Sequence, residues 1–468
     1  MRCILVTLGV YCLALSSVGQ ADRAESPVIA PDEIAMARSL MQQAQADNPA
    51  FALVSSLTTE VGPRLAGSEA ESRARQWAMK KLRGMGFANV REEFFSVPLW
   101  RRGAERVAIT QPFPQPLTVT TLGGSASTGP DGVEGEVVSV PTLAALEALA
   151  EGSLKGKILF VDESTSRSRD GAGYGAAVGK RRHAAYLAEQ RGALAVLIRS
   201  VGTSSDRFAH AGQMRRITES GSPGVPAAAL TGPDADQLAR VLAYGDPVRV
   251  RVVLTPETLA PVPSGNVVAE IVGQDAPEDI VLVGAHLDSW DLGTGALDDG
   301  AGIGIVVSAA KHILDHAPQP PRRTIRVVLF GAEEVGLVGA RAYADAYEDS
   351  LPQHIVATES DFGAENIWRF DTRVGAQGQA FMDQLAGLLS ELGIERGNNE
   401  ARGGPDITFL REAGVPVIGL VQEGTDYFDL HHTANDTLDK IAPGALSQNV
   451  AAYVAFLYLT ANSDINLR

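Results

Sequence analysis

The apolar run at residues 280–283 closes on Gly284 and Ala285, and the chain turns polar at once with His286 and Asp288. Such a run, with no polar alternation, predicts a strand buried on both faces of a parallel sheet. Glycines at 293, 295, 300 and 302 then predict a tight loop carrying Asp298 and Asp299, followed by a helix over 303–314. Similar apolar runs predict strands at 267–272, 325–331, 354–358 and 415–421, with helices between them, and this alternation is that of an α/β fold with a mostly parallel, mixed sheet covered by helices on both faces.

Upstream, helical periodicity predicts helices over 31–46 and 50–60, divided by Asn48-Pro49. After the turn-forming stretch Gly62-Pro63-Arg64-Leu65-Ala66-Gly67, Ser68 and Glu71 make a capping-box pattern, and Ala74, Trp77, Ala78, Leu82 and Met85 recur at helical spacing until Gly84 and Gly86 stop the helix. Strands are expected at 90–97 and 106–110. From 127 the texture changes to short strands at 133–140, 157–161, 194–198 and 225–230 among Ala-rich helical segments, and Val248, Val250 and Val252 alternate with Arg249 and Arg251 in a half-buried strand. Residues 127–258 therefore read as a smaller inserted α/β domain, with 22–126 and 259–468 forming the main domain around it. Pro256, Pro261 and Pro263 read as the linker back.

Composition changes the picture in three ways. The first residues carry Arg2, an apolar stretch over 3–18 and the small-residue end Gly19-Gln20-Ala21, which predicts a signal peptide over 1–21 and an exported protein, periplasmic or secreted, with no membrane span after cleavage. Both cysteines, Cys3 and Cys12, lie inside that leader, so any metal site must be built from His, Asp and Glu. A formal net charge of −16 argues against nucleic acid or an anionic membrane as partner.

The candidate chemistry stands where strands end. His286 and Asp288 follow one strand, Gly331-Ala332-Glu333-Glu334 a second, and Glu359-Ser360-Asp361 a third, while Asp298-Asp299 and His431-His432 lie on polar loops. In open α/β sheets the loops leaving the carboxyl ends of strands line the ligand crevice. Five imidazole and carboxylate groups from these clusters suffice to hold two metal ions, and nitrogen and oxygen donors suit Zn²⁺. The residues alone neither order Glu333 and Glu334 nor choose between His431 and His432. His183 and His210 have no ligand spacing and read as ordinary surface or packing residues.

The stretches His286-Leu287-Asp288-Ser289-Trp290-Asp291, Ala296-Leu297-Asp298-Asp299-Gly300, Gly331-Ala332-Glu333-Glu334, Glu359-Ser360-Asp361 and His432-Thr433-Ala434-Asn435-Asp436-Thr437 together resemble metallopeptidase family twenty-eight. The resemblance implies the zinc exopeptidase fold, with residues 127–258 as a protease-associated domain. It also implies two Zn²⁺ per chain held by His286, Asp298, Glu334, Asp361 and His432, with Glu333 as general base. Asp288 and Asp436 are then expected to orient His286 and His432 by accepting their ring N–H groups, and His431 to be structural. The implied activity is hydrolysis of dipeptides or short peptides by a carboxypeptidase or dipeptidase, with an aminopeptidase of the same family as the alternative. A non-catalytic receptor-like protein or a single-zinc glutaminyl cyclase would lack ligands that are all present here. A homodimer is expected by the same resemblance. For substrate contacts the candidates are Arg402, in a loop expected to face the cleft and able to bind a carboxylate, and Trp290 and Tyr427 as pocket walls.

Overall fold

Strand Ala276–His286 lies at the heart of an eight-stranded sheet and is buried on both faces over Ile280–His286. The computed structural model describes residues 29–215 and 221–468; the leader expected at 1–21 lies outside them. Arg323–Phe330 and His354–Glu359 flank the central strand in parallel, and Val417–Gln422 runs parallel to His354–Glu359. Their carboxyl ends therefore share one edge. In register, His286 stands opposite Phe330 and Gly284 opposite Glu359, which brings the loops at 287, 331 and 360 out side by side.

Alternate side chains of the central strand serve two cores. Val281, Val283 and Ala285 pack with residues of helices Ala50–Glu60, Ala301–His316 and Pro443–Asn462, while Ile280 and Leu282 pack with Ala340, Tyr343, Ile407 and Leu410 on the other face. Helix Pro443–Asn462 is buried along nearly its whole length, wedged between the sheet and helix Pro31–Ala46. Among the described residues no helix is long and apolar enough to cross a membrane.

Helices Pro31–Ala46 and Ala50–Glu60 match their expected limits, since Pro31 starts one and Asn48-Pro49 separates the two. Ser68 caps helix Glu69–Gly84 by accepting the Glu71 N–H at 3.1 Å. Glu71 does not reciprocate as in a capping box; its carboxylate is spent on Arg75 and on Ser264 Oγ.

Two expectations fail here. Pro256, Pro261 and Pro263 do not mark a linker: Glu257–Ile271 is one strand of 15 residues, paired with Ala88–Arg101. Arg323–Phe330 covers only its Val267–Ile271 part, so the prolines sit where the other edge is open and no N–H is required. Strand Ile367–Arg373, antiparallel to Val417–Gln422, was not anticipated because Arg369, Asp371 and Arg373 interrupt its apolar positions.

Between Arg101 and Glu257 the chain builds a second eight-stranded sheet with apolar clusters on both faces. This sheet also takes in Glu105–Gln111, Gln115–Leu117 and Val119–Thr121, upstream of position 127, because Glu105–Gln111 pairs antiparallel with Arg249–Leu254. The second sheet is tied across the first by Arg102 on Asp291 (2.8 and 2.7 Å), Arg167 on Asp429 (2.7 Å) and the Ala211 N–H donating to the His432 carbonyl (2.9 Å). Its residues consequently roof the edge where the candidate chemistry emerges.

Candidate metal centre and cleft

Asp298 is the pivot. Its Oδ1 lies 2.9 Å from His286 Nε2, and its Oδ2 lies 3.2 Å from His432 Nε2. On the first side Asp361 Oδ1 stands 3.4 Å from His286 Nε2; on the second, Glu334 Oε2 stands 2.9 Å from His432 Nε2. One carboxylate thus faces donors on both of its oxygens, His286 with Asp361 at Oδ1 and His432 with Glu334 at Oδ2. Asp298 Oδ2 and Glu334 Oε1 are buried without a hydrogen-bond partner. Buried carboxylate oxygens of this kind are costly unless a cation meets them. The donor set fits Zn²⁺.

The electrostatics agree. Burial pushes Glu333, Glu334 and Asp361 up, and the charge of a carboxylate neighbour adds to it in each case. Burial opposes a charge on His432, yet the Glu334 carboxylate and the bond to Asp298 carry its imidazole up to about 9. So many acids around two imidazoles lack positive charge, which divalent cations would supply.

Asp299 also lies near His286 and Asp361. Both of its oxygens are already committed, however, accepting the backbone N–H of His286 (2.9 Å) and of Gly302 (3.0 Å), so its role is to hold the loop. Asp288 and Asp436 likewise accept backbone N–H groups. The ring Nδ1 of His286 meets the backbone carbonyl of Asp288 at 3.0 Å, while the Asp288 carboxylate accepts the N–H groups of Glu333 (3.0 Å) and Glu334 (3.3 Å). Asp436 accepts from Leu297 N–H (2.7 Å) and Asp298 N–H (3.3 Å), and the His432 Nδ1 instead faces the Ala211 carbonyl at 3.4 Å. Both carboxylates position the backbone that carries the acidic groups. Asp288 Oδ1 also stands 3.7 Å from His286 Nδ1, beside the nearer backbone carbonyl.

Glu333 and Glu334 diverge after Ala332, which adopts φ +60°. Glu334 is buried beside His432, whereas Glu333 is only half-buried and lines a cleft of about 880 Å³ together with Asp298, Glu334, Asp361 and His432. Tyr427 also lines this cleft. Trp290 does not: it is 4% exposed and packs edge-on against Trp100 in a small apolar cluster. Arg402 is exposed and stands outside the lining residues, because the loop turns Gly403 and Gly404 inward in its place; Gly404 lies against Glu359.

Three side chains that sequence reading left outside the site stand in or against it. Arg64, fully buried, donates to the carbonyls of Leu287 (2.6 Å), Thr294 (2.7 Å) and Gly295 (2.9 Å), which are the walls of the loop carrying Asp298. His210, expected to be ordinary, comes from the loop after strand Ala195–Arg199 of the second sheet, its Nε2 meeting His431 Nδ1 at 2.9 Å, and His431 Nε2 lies 3.3 Å from Asp298 Oδ2. Burial first, and the His432 charge beside them, keep both rings well below the usual imidazole range. Between His210 Nε2 and His431 Nδ1 one ring nitrogen donates and the other accepts. Arg181, on helix Gly179–Gln190 beside the second sheet, lines the cleft next to His432. No local pattern flags any of the three except the turn motif around Arg64.

Peptidase family M28 has a model that matches residues 266–457, the part of the chain that supplies every acidic and imidazole group facing Asp298. Carboxypeptidase Q of Rattus norvegicus is 33% identical over 417 residues, 89% of this chain and 86% of that protein. The chain belongs to peptidase family M28. Carboxypeptidase Q of Homo sapiens, at 32% identity over 420 residues, covers 90% of this chain and 87% of its own length. Among solved structures, a peptidase M28 precursor from Shewanella amazonensis SB2B is 48% identical, covers 93% of this chain and 98% of its own, and superposes with a TM-score of 0.91. BSAP, a zinc aminopeptidase from Bacillus subtilis, shares the fold at 21% identity with a TM-score of 0.64, covering 89% of this chain and 95% of its own. Membership of family M28 makes this chain a metallopeptidase.

Proposed function

We propose that this M28 peptidase is an exported exopeptidase that holds two Zn²⁺ ions and removes single residues from dipeptides or short peptides. His286 and Asp361 would hold one ion and Glu334 and His432 the other, with Asp298 offering one oxygen to each side. The reading rests on one observation: the two oxygens of Asp298 face opposite donor groups, each with one imidazole nitrogen within 3.2 Å. When bound, two such ions acidify a water molecule and polarise the scissile carbonyl. Residues 105–254 then act as an inserted domain that closes the cleft over short substrates, in keeping with carboxypeptidase Q among the relatives. Export rests on the leader at 1–21.

Glu333 is the general base. Its carboxylate projects into the cleft, and burial together with the charges of Glu334 and Asp361 raises its proton affinity, which suits a group that must take a proton from the attacking water. The same carboxyl then protonates the departing amine. Asp288, by receiving the N–H groups of Glu333 and Glu334, keeps the base and its neighbour on their separate faces.

The test is a pair of substitutions assayed for zinc content and for turnover of a free dipeptide. Glu333→Gln keeps both ions and loses about 100- to 10,000-fold in kcat, the usual value of general acid–base help. Glu334→Gln loses zinc first and activity with it. A Glu333→Gln protein near full activity sinks the mechanism, and fully loaded protein with one zinc or none sinks the two-metal reading.

A further inference from the structure

The described residues include five buried arginines, and four of them are fully engaged. Arg64 donates to three carbonyls, and Arg191 to the carbonyls of Glu147, Leu149 and Leu187 at 2.7 to 3.0 Å. Arg75 is clamped between Glu71 and Glu92, and Arg323 meets Asp279 and the Ile465 carbonyl. Arg181 is the exception. It is 6% exposed, yet its only clear hydrogen bond is from Nη1 to the Tyr174 hydroxyl at 2.8 Å. Nε has no partner, and among the described residues no carboxylate lies within ion-pair distance of the guanidinium.

Burying a guanidinium that cannot shed its proton is expensive unless an anion or several acceptors meet it. The surroundings nevertheless hold this one in place. Tyr174, its hydroxyl partner, is stacked on Phe428 at 4.4 Å with the ring planes 8° apart. Gly212 makes room, since a Cβ there would come within 2.3 Å of Arg181 Nη1. The guanidinium lines the cleft shared with Glu333 and Glu334, and Nη1 lies 3.4 Å from His432 Nδ1. Arg181 is thus one imidazole ring away from the donor groups around Asp298, and the acceptor it lacks has to come from the cleft.

We infer that Arg181 is the carboxylate-recognising residue of this peptidase, receiving the free C-terminal carboxylate of the residue released by hydrolysis. In a peptide that carboxylate is three bonds beyond the scissile carbonyl carbon, so a cation one ring away from the reacting centre selects for cleavage of the last peptide bond. A guanidinium fork matches a carboxylate with two parallel N–H donors, and burial strengthens the pair. The exposed Arg402 has no access to this position. The inference rests on the exopeptidase reading above and names the end of the substrate that is read.

The test uses zinc-loaded protein with alanyl-alanine and its C-terminal carboxamide. Wild type should favour the free dipeptide by about 30- to 5,000-fold in kcat/KM, the range for losing one partner of a buried charge pair. Arg181→Met should lose about the same factor on the free dipeptide, mainly through KM, keep its zinc and no longer distinguish the two substrates. Arg181→Lys, which keeps the charge without the fork, should fall between. Equal losses on both substrates, or a wild type indifferent to amidation, would overturn the assignment. To separate this from failure of the hydrolytic mechanism, binding of the same two ligands is measured by calorimetry on Glu333→Gln with and without Arg181→Met. A preference for the free carboxylate that disappears with Arg181→Met supports the inference whatever the turnover; binding that ignores the substitution refutes it.

Discussion

Replacing Arg64 with Met should cost this protein a large part of its stability, although Arg64 touches none of the groups that face the cleft. The guanidinium sits at 0% exposure and spends its donors on the carbonyls of Leu287, Thr294 and Gly295 at 2.6 to 2.9 Å. Gly295 is part of the same fit: it adopts φ +60°, and a Cβ there would meet Arg64 Nη1 at 2.6 Å. Met fills a similar volume and donates nothing; the Gly295 carbonyl keeps the Gly300 N–H (3.1 Å), but those of Leu287 and Thr294 are left unpaired at about 1–3 kcal/mol each, so about 2–6 kcal/mol in all. Against the roughly 5–15 kcal/mol that holds a folded chain together, this is a major loss. The charge matters too, because Arg64 is the cation beside Asp288, Asp298, Asp299 and Asp436. Backbone bonds between residue 64 and Ser289 survive the substitution, so the loop is loosened and not detached. Urea unfolding followed by tryptophan fluorescence is a direct assay, since Trp290 belongs to the loop that Arg64 holds. The midpoint should fall substantially, and added zinc should recover part of the loss by binding the native state. An unchanged midpoint with unchanged zinc content would show that water or neighbouring donors replace the guanidinium, and the account of the loop would be wrong.

Two further outcomes follow from buried imidazoles. His354 donates from Nδ1 to the Ser350 carbonyl (3.1 Å) and accepts at Nε2 from the Tyr343 hydroxyl (2.9 Å), and burial first of all lowers its pKa to about 4. Unfolded chains protonate this group near 6.5, so stability should decline as pH falls from about 6.5 to about 4, by on the order of 3 kcal/mol when complete; thermal melts of wild type and His354→Gln should diverge over that window, and parallel curves would refute it. His210→Ala removes the partner of His431 and should weaken zinc retention about 10-fold or more, as loss of a supporting hydrogen bond behind a metal site commonly does; chelator competition measures this, and unchanged retention would return His210 to a packing role.

Much of this protein was legible one stretch at a time. Strand 276–286 could be found because a strand buried on both faces needs an unbroken apolar run, and helices 31–46 and 50–60 because Pro31 and Asn48-Pro49 constrain the backbone wherever they occur. The polar clusters at 286–288, 331–334 and 359–361 were visible because parallel strands must end at a common edge, so that polar residues directly after an apolar run are brought together by topology alone. What remained hidden depends on partners far away in the chain. The strand character of 257–263, despite its prolines, comes from pairing with 95–101, and that of 367–373 from pairing with 417–422. Asp436 was expected to face an imidazole, but an aspartate accepts from whichever donor the fold presents, and the fold presents the N–H groups of Leu297 and Asp298, 139 and 138 residues away. Arg181 and His210 reach His432 and His431 across 251 and 221 residues. No periodicity or spacing encodes that approach. It was decided when the second sheet docked over the first, because side-chain contacts between separate layers depend on how those layers pack, and a local pattern records only the face that each element buries.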